Sequence, residues 1–323
     1  MRLAKNFLAA LFVAMGACSQ VLAQAYPAKP VQMIVAFGAG SGTDVVTRYL
    51  ADILSKNLNQ RFVVENRVGA AGNIGMAAGA KSPNDGHTLV MGGLGVNAMN
   101  QFLYPPGSLG FDPEKDFDSV ILVARLPFAI AVPNSFPGNS LADLIAAAKA
   151  KPNSVNAAIT TTTSRMVFEL FNGATGAQLF AIAYKAPAAA MSDVIAGRVT
   201  VAIETAASLR SHVNSGNLKA LAITSSSGSD LMPGLKSVAE QGVPNFEFVG
   251  WVSMYMPRGA PREAVNLINA ELNKILALPE TKKRFLELGM EPGSGSPQDM
   301  ANFENSERRR WGPVIRAAGI KVE

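Results

Sequence analysis

Apolar residues in this chain come in short runs broken by glycine, and between the runs they recur at intervals of three and four. Residues 31–37 are apolar except for Gln32, which predicts a buried strand, and Gly38-Ala39-Gly40-Ser41-Gly42 ends it. Thr43 or Asp44 can then cap a helix whose apolar face is Val45, Val46, Tyr49, Leu50, Ile53, Leu54 and Leu58. Residues 62–65 predict a second strand. The segment Gly69-Ala70-Ala71-Gly72-Asn73 interrupts before a weak helix of small residues over 74–80, and Asp85-Gly86 predicts a turn before a third strand at 88–91.

The middle of the chain repeats this alternation. Extended, β-prone stretches lie around Pro127 within 120–132, and Ser140 is placed to cap a helix carrying Leu141, Leu144, Ile145 and Ala148. A strand at 155–159 leads into Thr160-Thr161-Thr162-Thr163-Ser164 and a helix with Val167, Leu170 and Phe171. Another strand at 181–184 precedes Pro187 and a helix through Met191, Val194 and Ile195 that stops at Gly197. Strands follow at 199–203 and 218–224, and from Pro261 the pattern turns to long helices at 264–276, around Phe285, and at 298–311. Alternating strands and helices predict an α/β layer architecture with largely parallel strands. No short repeat and no low-complexity linker separates the two βα-rich units, so they are expected to share crossing strands. Ligands of open α/β sheets sit at the carboxyl ends of strands. Here those ends carry the loops at 38–44, 160–164 and 184–187.

The first residues change the picture of where the protein works. Met1-Arg2-Leu3-Ala4-Lys5 and the apolar run 7–17 have the anatomy of an export signal, and the run is too short to span a bilayer. Ala23-Gln24-Ala25 offers a cleavage site, cleavage after Ala23 being equally acceptable. Met15-Gly16-Ala17-Cys18 is a rival lipoprotein box, with Met where Leu is usual; ordinary cleavage is preferred, giving a signal over 1–25 and a periplasmic protein without cysteine. Such a protein relies on core burial rather than disulfides, and the 298 residues left of 323 are enough for two domains. Net charge is +5, or +3 once Arg2 and Lys5 leave with the signal. The one basic run, Arg308-Arg309-Arg310 beside Glu304 and Glu307, is expected to form a solvated helical face. No aromatic ladder or finger motif accompanies it, so nucleic acid is not an expected partner.

Candidate chemistry lies in the loops. The 38–44 loop is no dinucleotide fingerprint, because Thr43 stands where the third glycine belongs, and it lacks the lysine of a P-loop. Its three glycines still let backbone N–H groups and a helix N-terminus face an anion, although a tight turn that binds nothing explains them equally well. Five consecutive hydroxyls at 160–164 exceed the one or two that helix capping needs, which favours a polar pocket. Lys185 can pair with an acidic ligand or simply face solvent; Glu204, ending an apolar run, can face a cleft or water. Catalytic machinery is thin: His87 and His212 are the only histidines and read as surface residues, and no G-x-S-x-G, H-E-x-x-H or EF-hand pattern occurs. No catalytic residue, metal or cofactor is expected.

Several strings resemble the Bug family, the TctC-like substrate-binding proteins of tripartite tricarboxylate transporters. They are Tyr26-Pro-Ala-Lys-Pro-Val-Gln-Met-Ile-Val-Ala-Phe37, Gly42-Thr43-Asp44, Val64-Glu-Asn-Arg-Val-Gly-Ala-Ala-Gly-Asn-Ile-Gly75, Asp193-Val-Ile-Ala-Gly197 and Pro257-Arg-Gly-Ala-Pro261. The likeness covers nearly the whole mature chain. It implies a type II periplasmic binding protein fold, two α/β lobes joined by two crossing strands near 123–125 and 250–253. Lobe 1 is then 26–125 plus 250–323, and lobe 2 is 126–249. It also implies a carboxylate held largely by backbone N–H groups and waters. The residues concerned are Phe37, Gly38, Ala39, Gly40, Ser41, Gly42, Thr43 and Asp44 on one side, and Thr160, Thr161, Thr162, Thr163 and Ser164 on the other, with Tyr184, Lys185, Ala186 and Glu204 completing the cleft. Departures cluster there: Ala39 to Gly42 replace the usual Pro-Gly-Gly, Met166 a histidine, Ala186 a glycine and Glu204 an aspartate. The ligand therefore does not follow from the family. The expectation is a monomeric, non-enzymatic receptor that presents a small organic acid to membrane transporter subunits. A receptor reporting to a sensor kinase and a periplasmic enzyme acting on small acids are the alternatives.

Overall fold

A computed structural model describes residues 26–319 apart from 185. The export signal read in 1–25, with Cys18, lies outside the described residues, as does Lys185. In chain order the strands are β1 (Val31–Val35), β2 (Phe62–Asn66), β3 (Thr88–Gly93), β4 (Phe117–Pro133), β5 (Asn156–Ile159), β6 (Phe180–Ala183), β7 (Val201–Thr205), β8 (Leu218–Ile223), β9 (Val249–Pro257) and β10 (Glu291–Pro292). The helices are α1 (Gly42–Asn57), α2 (Asn73–Ala80), α3 (Asn100–Leu103), α4 (Leu141–Ala150), α5 (Thr162–Thr175), α6 (Pro187–Ile195), α7 (Ala206–Asn214), α8 (Arg262–Ala277), α9 (Pro279–Glu287) and α10 (Pro297–Ala318).

The strands form one curled sheet in the order β2-β1-β3-β9-β4-β7-β5-β6, with β8 and β10 also on β4. Parallel pairing holds within each half, β1 with β2 and β3, and β5 with β6 and β7. The expectation of largely parallel strands fails between the halves: each pairing made by β4 or β9 is antiparallel. The reason is the crossing: β4 continues from the first half, where β9 returns alongside it, into the second half, where it runs against β7 and β8. Residues 117–127 of β4 pair with β9, and its remaining residues pair with β7 and β8. The stretches read separately around Pro127 are thus one 17-residue strand. Pro127 has no N–H to donate, and just beyond it the Phe128 N–H turns to the Thr224 hydroxyl at 2.9 Å, which lies 2.6 Å from the Phe248 carbonyl. A side chain thereby completes the ladder where the strand changes lobe.

Each face of the sheet is covered by a helical layer. The three- and four-residue spacing of α1 buries Val46, Leu50 and Leu54 in one core cluster with Ile268, Leu272 and Phe285 of α8 and α9. α10 starts with a capping box, Ser296 with Asp299, and buries Trp311 completely against Phe248, ring centroids 5.2 Å apart. One oxygen of Glu307 accepts from the indole nitrogens of both Trp311 (3.0 Å) and Trp251 on β9 (3.2 Å). The basic run does not form a wholly solvated face: Arg308 is 6% exposed and donates to Glu304 at 2.8 Å and to the Asn97 carbonyl at 3.2 Å. Helical spacing explains this, since Glu304, Glu307, Arg308 and Trp311 share the side that meets the sheet. His87, read as a surface residue, packs edge-on against Tyr26 at 5.0 Å with its side chain 13% exposed.

Candidate functional site

Strand direction decides where the loops meet. β1, β2 and β3 run parallel and end at Val35, Asn66 and Gly93. Gly93 pairs with Val252 of β9, and Val252 pairs with Ala124 of β4. From the other half, β7 ends beside Phe128, to which its Thr205 is paired, and β5 runs parallel to it. The carboxyl ends of both parallel sets therefore open onto the same few residues of the crossing strands, which is the cleft geometry of an open α/β sheet.

On the first side, Phe37 to Ser41 form a turn in which Ser41 N–H donates to the Gly38 carbonyl at 3.1 Å. Gly40 has φ +81°, the left-handed region that disfavours other residues, and both Gly38 and Gly40 face open space where a side chain would stand. The helix cap is Ser41 rather than Thr43 or Asp44, its hydroxyl accepting the Asp44 N–H at 3.3 Å. Thr43 gives its carbonyl to the Thr47 hydroxyl. A Cβ at Gly42 would come 2.4 Å from the Met290 methyl, so α9 and the loop after it press on the start of α1.

Asp44 is 2% exposed and holds this loop together. Its carboxylate accepts from Gly40 N–H (2.9 Å), from Asn66 (2.8 Å) and from Arg48 Nε (3.1 Å), while Arg48 Nη2 lies 3.0 Å away as an ion pair and donates to Asn66 Oδ1 at 2.9 Å. Burial pushes its pKa up, but the bonds from Arg48, Gly40 and Asn66 outweigh that and hold it below the ordinary carboxylate value. With its lone pairs taken, Asp44 braces the loop. Asn66 and Arg48 belong to the same brace, and the sequence pattern did not single them out as site residues, since Asn66 reaches Asp44 across 22 positions.

The second side has fewer free hydroxyls than its sequence offers. Thr161 caps α5 and forms a capping box with Ser164, which is fully buried and also donates to the Thr161 carbonyl. The Thr160 hydroxyl is bonded to the Glu204 carboxylate. Among the described residues, only Thr162 and Thr163 of the five make no side-chain hydrogen bond. Glu204 is half-buried, and desolvation raises its pKa despite the bonds from Thr160 and the Thr205 N–H. A small cavity beside it, about 60 Å³, is walled by Ala158, Pro187, Ala190, Met191, Val194 and Ala202. Tyr184 sends its hydroxyl to Asp193 at 2.7 Å, within its own lobe, while Ala186 is exposed and precedes the first turn of α6.

Two further asparagines belong to loops at these strand ends. Asn73 opens α2 and takes the Asn100 amide at 2.7 Å; Asn97, in the π-helical turn after β3, takes the Gly93 N–H at 3.0 Å. Both are buried, and each has an amide nitrogen without a partner among the described residues. Asn97 stands near a position where the family resemblance implies His or Thr, and Asn73 lies within the Val64 to Gly75 string, but neither is expected from the sequence among the ligand-binding residues, because an isolated asparagine beside small residues carries no periodic signal.

Two lobes sharing crossing strands, with helix N-terminal loops at the carboxyl strand ends of both, are the architecture of a solute-binding protein. Residues 46–320 match the tripartite tricarboxylate transporter family receptor, TctC, and the chain belongs to that family. Protein BugT of Bordetella pertussis is 35% identical over 311 residues, covering 95% of each chain. Among solved structures, R. palustris Rpa4515 with adipate is 35% identical with TM-score 0.73, covering 92% of this chain and 99% of that one. MatC (Rpa3494) from Rhodopseudomonas palustris with bound malate is 25% identical with TM-score 0.69, covering 90% and 100%. Among the described residues no helix is long and apolar enough to cross a membrane.

Proposed function

We propose that this receptor captures a small carboxylate between lobe 1 (26–125 with 250–323) and lobe 2 (126–249), and presents it to the membrane subunits of a tripartite tricarboxylate-type transporter. The observation that carries the reading is that the carboxyl strand ends of both halves open onto the same residues of the crossing strands, each followed by a loop at a helix N-terminus. With the Gly40 and Ser41 N–H groups engaged inside the loop, the backbone N–H groups of Gly38, Ala39 and Gly42 are the donors offered on the first side, beside Gly38 and Gly40 that hold no side chain in the way, and Thr162 and Thr163 offer hydroxyls on the other. A carboxylate suits such donors because hydrogen bonds to an ionised acceptor are the stronger ones. That relatives are described with adipate and with malate supports the same class. In this reading Phe37, Asp44, Thr161, Ser164 and Tyr184 hold the loops in shape, whereas Thr160 and Glu204 wall the lobe 2 side. Lys185 contributes positive charge, and Ala186 leaves room. Lobe closure turns occupancy into a shape that a transporter can read. The export signal read in 1–25 supports a periplasmic location, and the receptor is taken to act as a monomer without catalysis.

Two substitutions test the site. Thr162→Ala removes a hydroxyl from an exposed position, so it should weaken binding of the most stabilising acid about tenfold or more while leaving Tm unchanged. Gly42→Val forces a side chain against Met290 and should weaken binding as well. Unchanged calorimetric affinity in both variants would reject the assignment.

A further inference from the structure

β9 runs against β3, so its carboxyl end and the amino end of β4 lie at the end of the strands opposite the cleft loops. There, between the start of α8 and one side of α10, is a cavity of about 620 Å³. That size lies within the range of small-molecule pockets, roughly 300–1,000 Å³. We propose that this cavity is a second ligand site, distinct from the cleft, that takes a small organic anion with an apolar body.

The argument rests on which polar groups are already satisfied. Each acid lining the cavity sits beside an arginine. Asp118 accepts from Arg258 at 2.7 Å and from the Gly259 and Ala260 N–H groups at 2.7 and 3.2 Å. Glu304 accepts from Arg308 Nη1 at 2.8 Å, and Glu114 lies 3.2 Å from Arg308 Nε but off the direction of its N–H. Donors are left over. Arg308 is 6% exposed, and its Nε–H has no hydrogen-bond acceptor among the described residues. Arg262 lines the same cavity and forms no ion pair among the described residues. A buried donor without an acceptor is destabilising, and an incoming carboxylate relieves that. Phe117, Val265 and Ala301 supply the apolar wall. Arg258, Arg262 and Arg308 line it against Glu114, Asp118 and Glu304, so the charges balance with Glu304 ionised and one positive charge is left over when Glu304 is protonated. The Arg308 Nε–H and the Arg262 guanidinium are thus donors next to apolar surface.

Protonation of Glu304 bears on this site. Burial raises its pKa to about 7, against the pull of Arg308 on its own helix and of the hydroxyls of Tyr255 on β9 and Ser119 on β4. The other charges around it are Glu114 in the preceding turn, Asp118 on β4, and Arg258 and Arg262 after β9. As pH rises through 7, Glu304 gains a negative charge that repels an anion and competes for Arg308. Anion affinity at this site is therefore higher at pH 6 than at pH 8.

The test is a titration of the ¹⁵N-labelled mature protein with 4-fluorobenzoate, followed by amide chemical shifts. Saturable shifts are expected at 113–119, 255–266 and 296–308, and they should persist in the cleft variant Thr162→Ala. Arg262→Ala, at an exposed position, should weaken them about two- to fivefold without changing Tm. Ala301→Trp, which fills the cavity, should abolish them. Affinity should fall from pH 6 to pH 8 in the wild type and stay level in Glu304→Gln. Shifts confined to the cleft loops, shifts that never saturate, or wild-type affinity in both Arg262→Ala and Ala301→Trp would overturn the proposal. Because the two sites are at opposite ends of the strands, failure of either leaves the other standing.

Discussion

Asp44→Ala is expected to abolish tight ligand binding and to lower Tm, although Asp44 need not touch the ligand. Its carboxylate is the common acceptor for Gly40, Asn66 and Arg48, groups from the loop, the end of β2 and the first turns of α1. Removing it leaves the Gly40 N–H and one bond of Asn66 unsatisfied, and frees the turn whose backbone donors define the first side of the cleft. Arg48 is half exposed, so its share is screened and contributes little to stability. The remaining loss is about 2–3 kcal/mol, or a Tm lower by about 4–12 °C, with affinity weaker by at least about tenfold. Asp44→Asn keeps the size but lowers acceptor strength, and should fall between the two. Because the carboxylate is held below its ordinary pKa, this stabilisation is present above the unfolded value, near 4, and is lost as pH falls through the folded one. Lost binding with unchanged Tm in Asp44→Ala would place Asp44 on the ligand instead of on the loop.

Trp311→Ala is expected to give the largest loss of stability, about 3–5 kcal/mol. The side chain is completely buried, meets Phe248 edge-on, and shares Glu307 with Trp251. Truncation leaves a cavity where α10 covers the point at which the crossing strand β9 begins, and deprives Glu307 of one of its indole donors. Tm should fall by about 6–20 °C. Trp311→Phe retains most of the apolar contact but not the N–H, and should recover more than half. A loss under about 1 kcal/mol for Trp311→Ala, measured by chemical denaturation, would mean that α10 is not integral to the core.

Pattern alone carried much of the scaffold. The apolar runs of β1, β2 and β3, the spacing of Leu50 and Leu54 in α1, and Ser140 as a cap are local signals, and the structure realises them within a residue or two at most boundaries. What pattern could not give is pairing. β9 is buried along its whole length, so it shows no alternation, and only the family resemblance marked its crossing. At the site, glycines and hydroxyls were legible as residue types but their occupation was not. Thr160 is engaged by Glu204 from 44 positions away, and Asp44 by Asn66 from 22. The charge of Arg308 was visible, yet its burial depends on Glu304 and on the Asn97 carbonyl 211 positions distant. Contacts of that range follow from topology, which one sequence does not display.

Capture of a carboxylate is tested most directly by thermal shift of the purified mature protein against a matched panel. Aliphatic mono- and dicarboxylates, aromatic acids and amino acids are compared with uncharged sugars, because a ligand that binds only the native state raises Tm. At one hundred times its Kd, a ligand adds about 2.7 kcal/mol. At least one carboxylate is expected to raise Tm by several degrees in the wild type and by less in Thr162→Ala, with sugars inert. Stabilisation by sugars alone, or an equal rise in Thr162→Ala and Gly42→Val, would contradict a carboxylate held between the two loops.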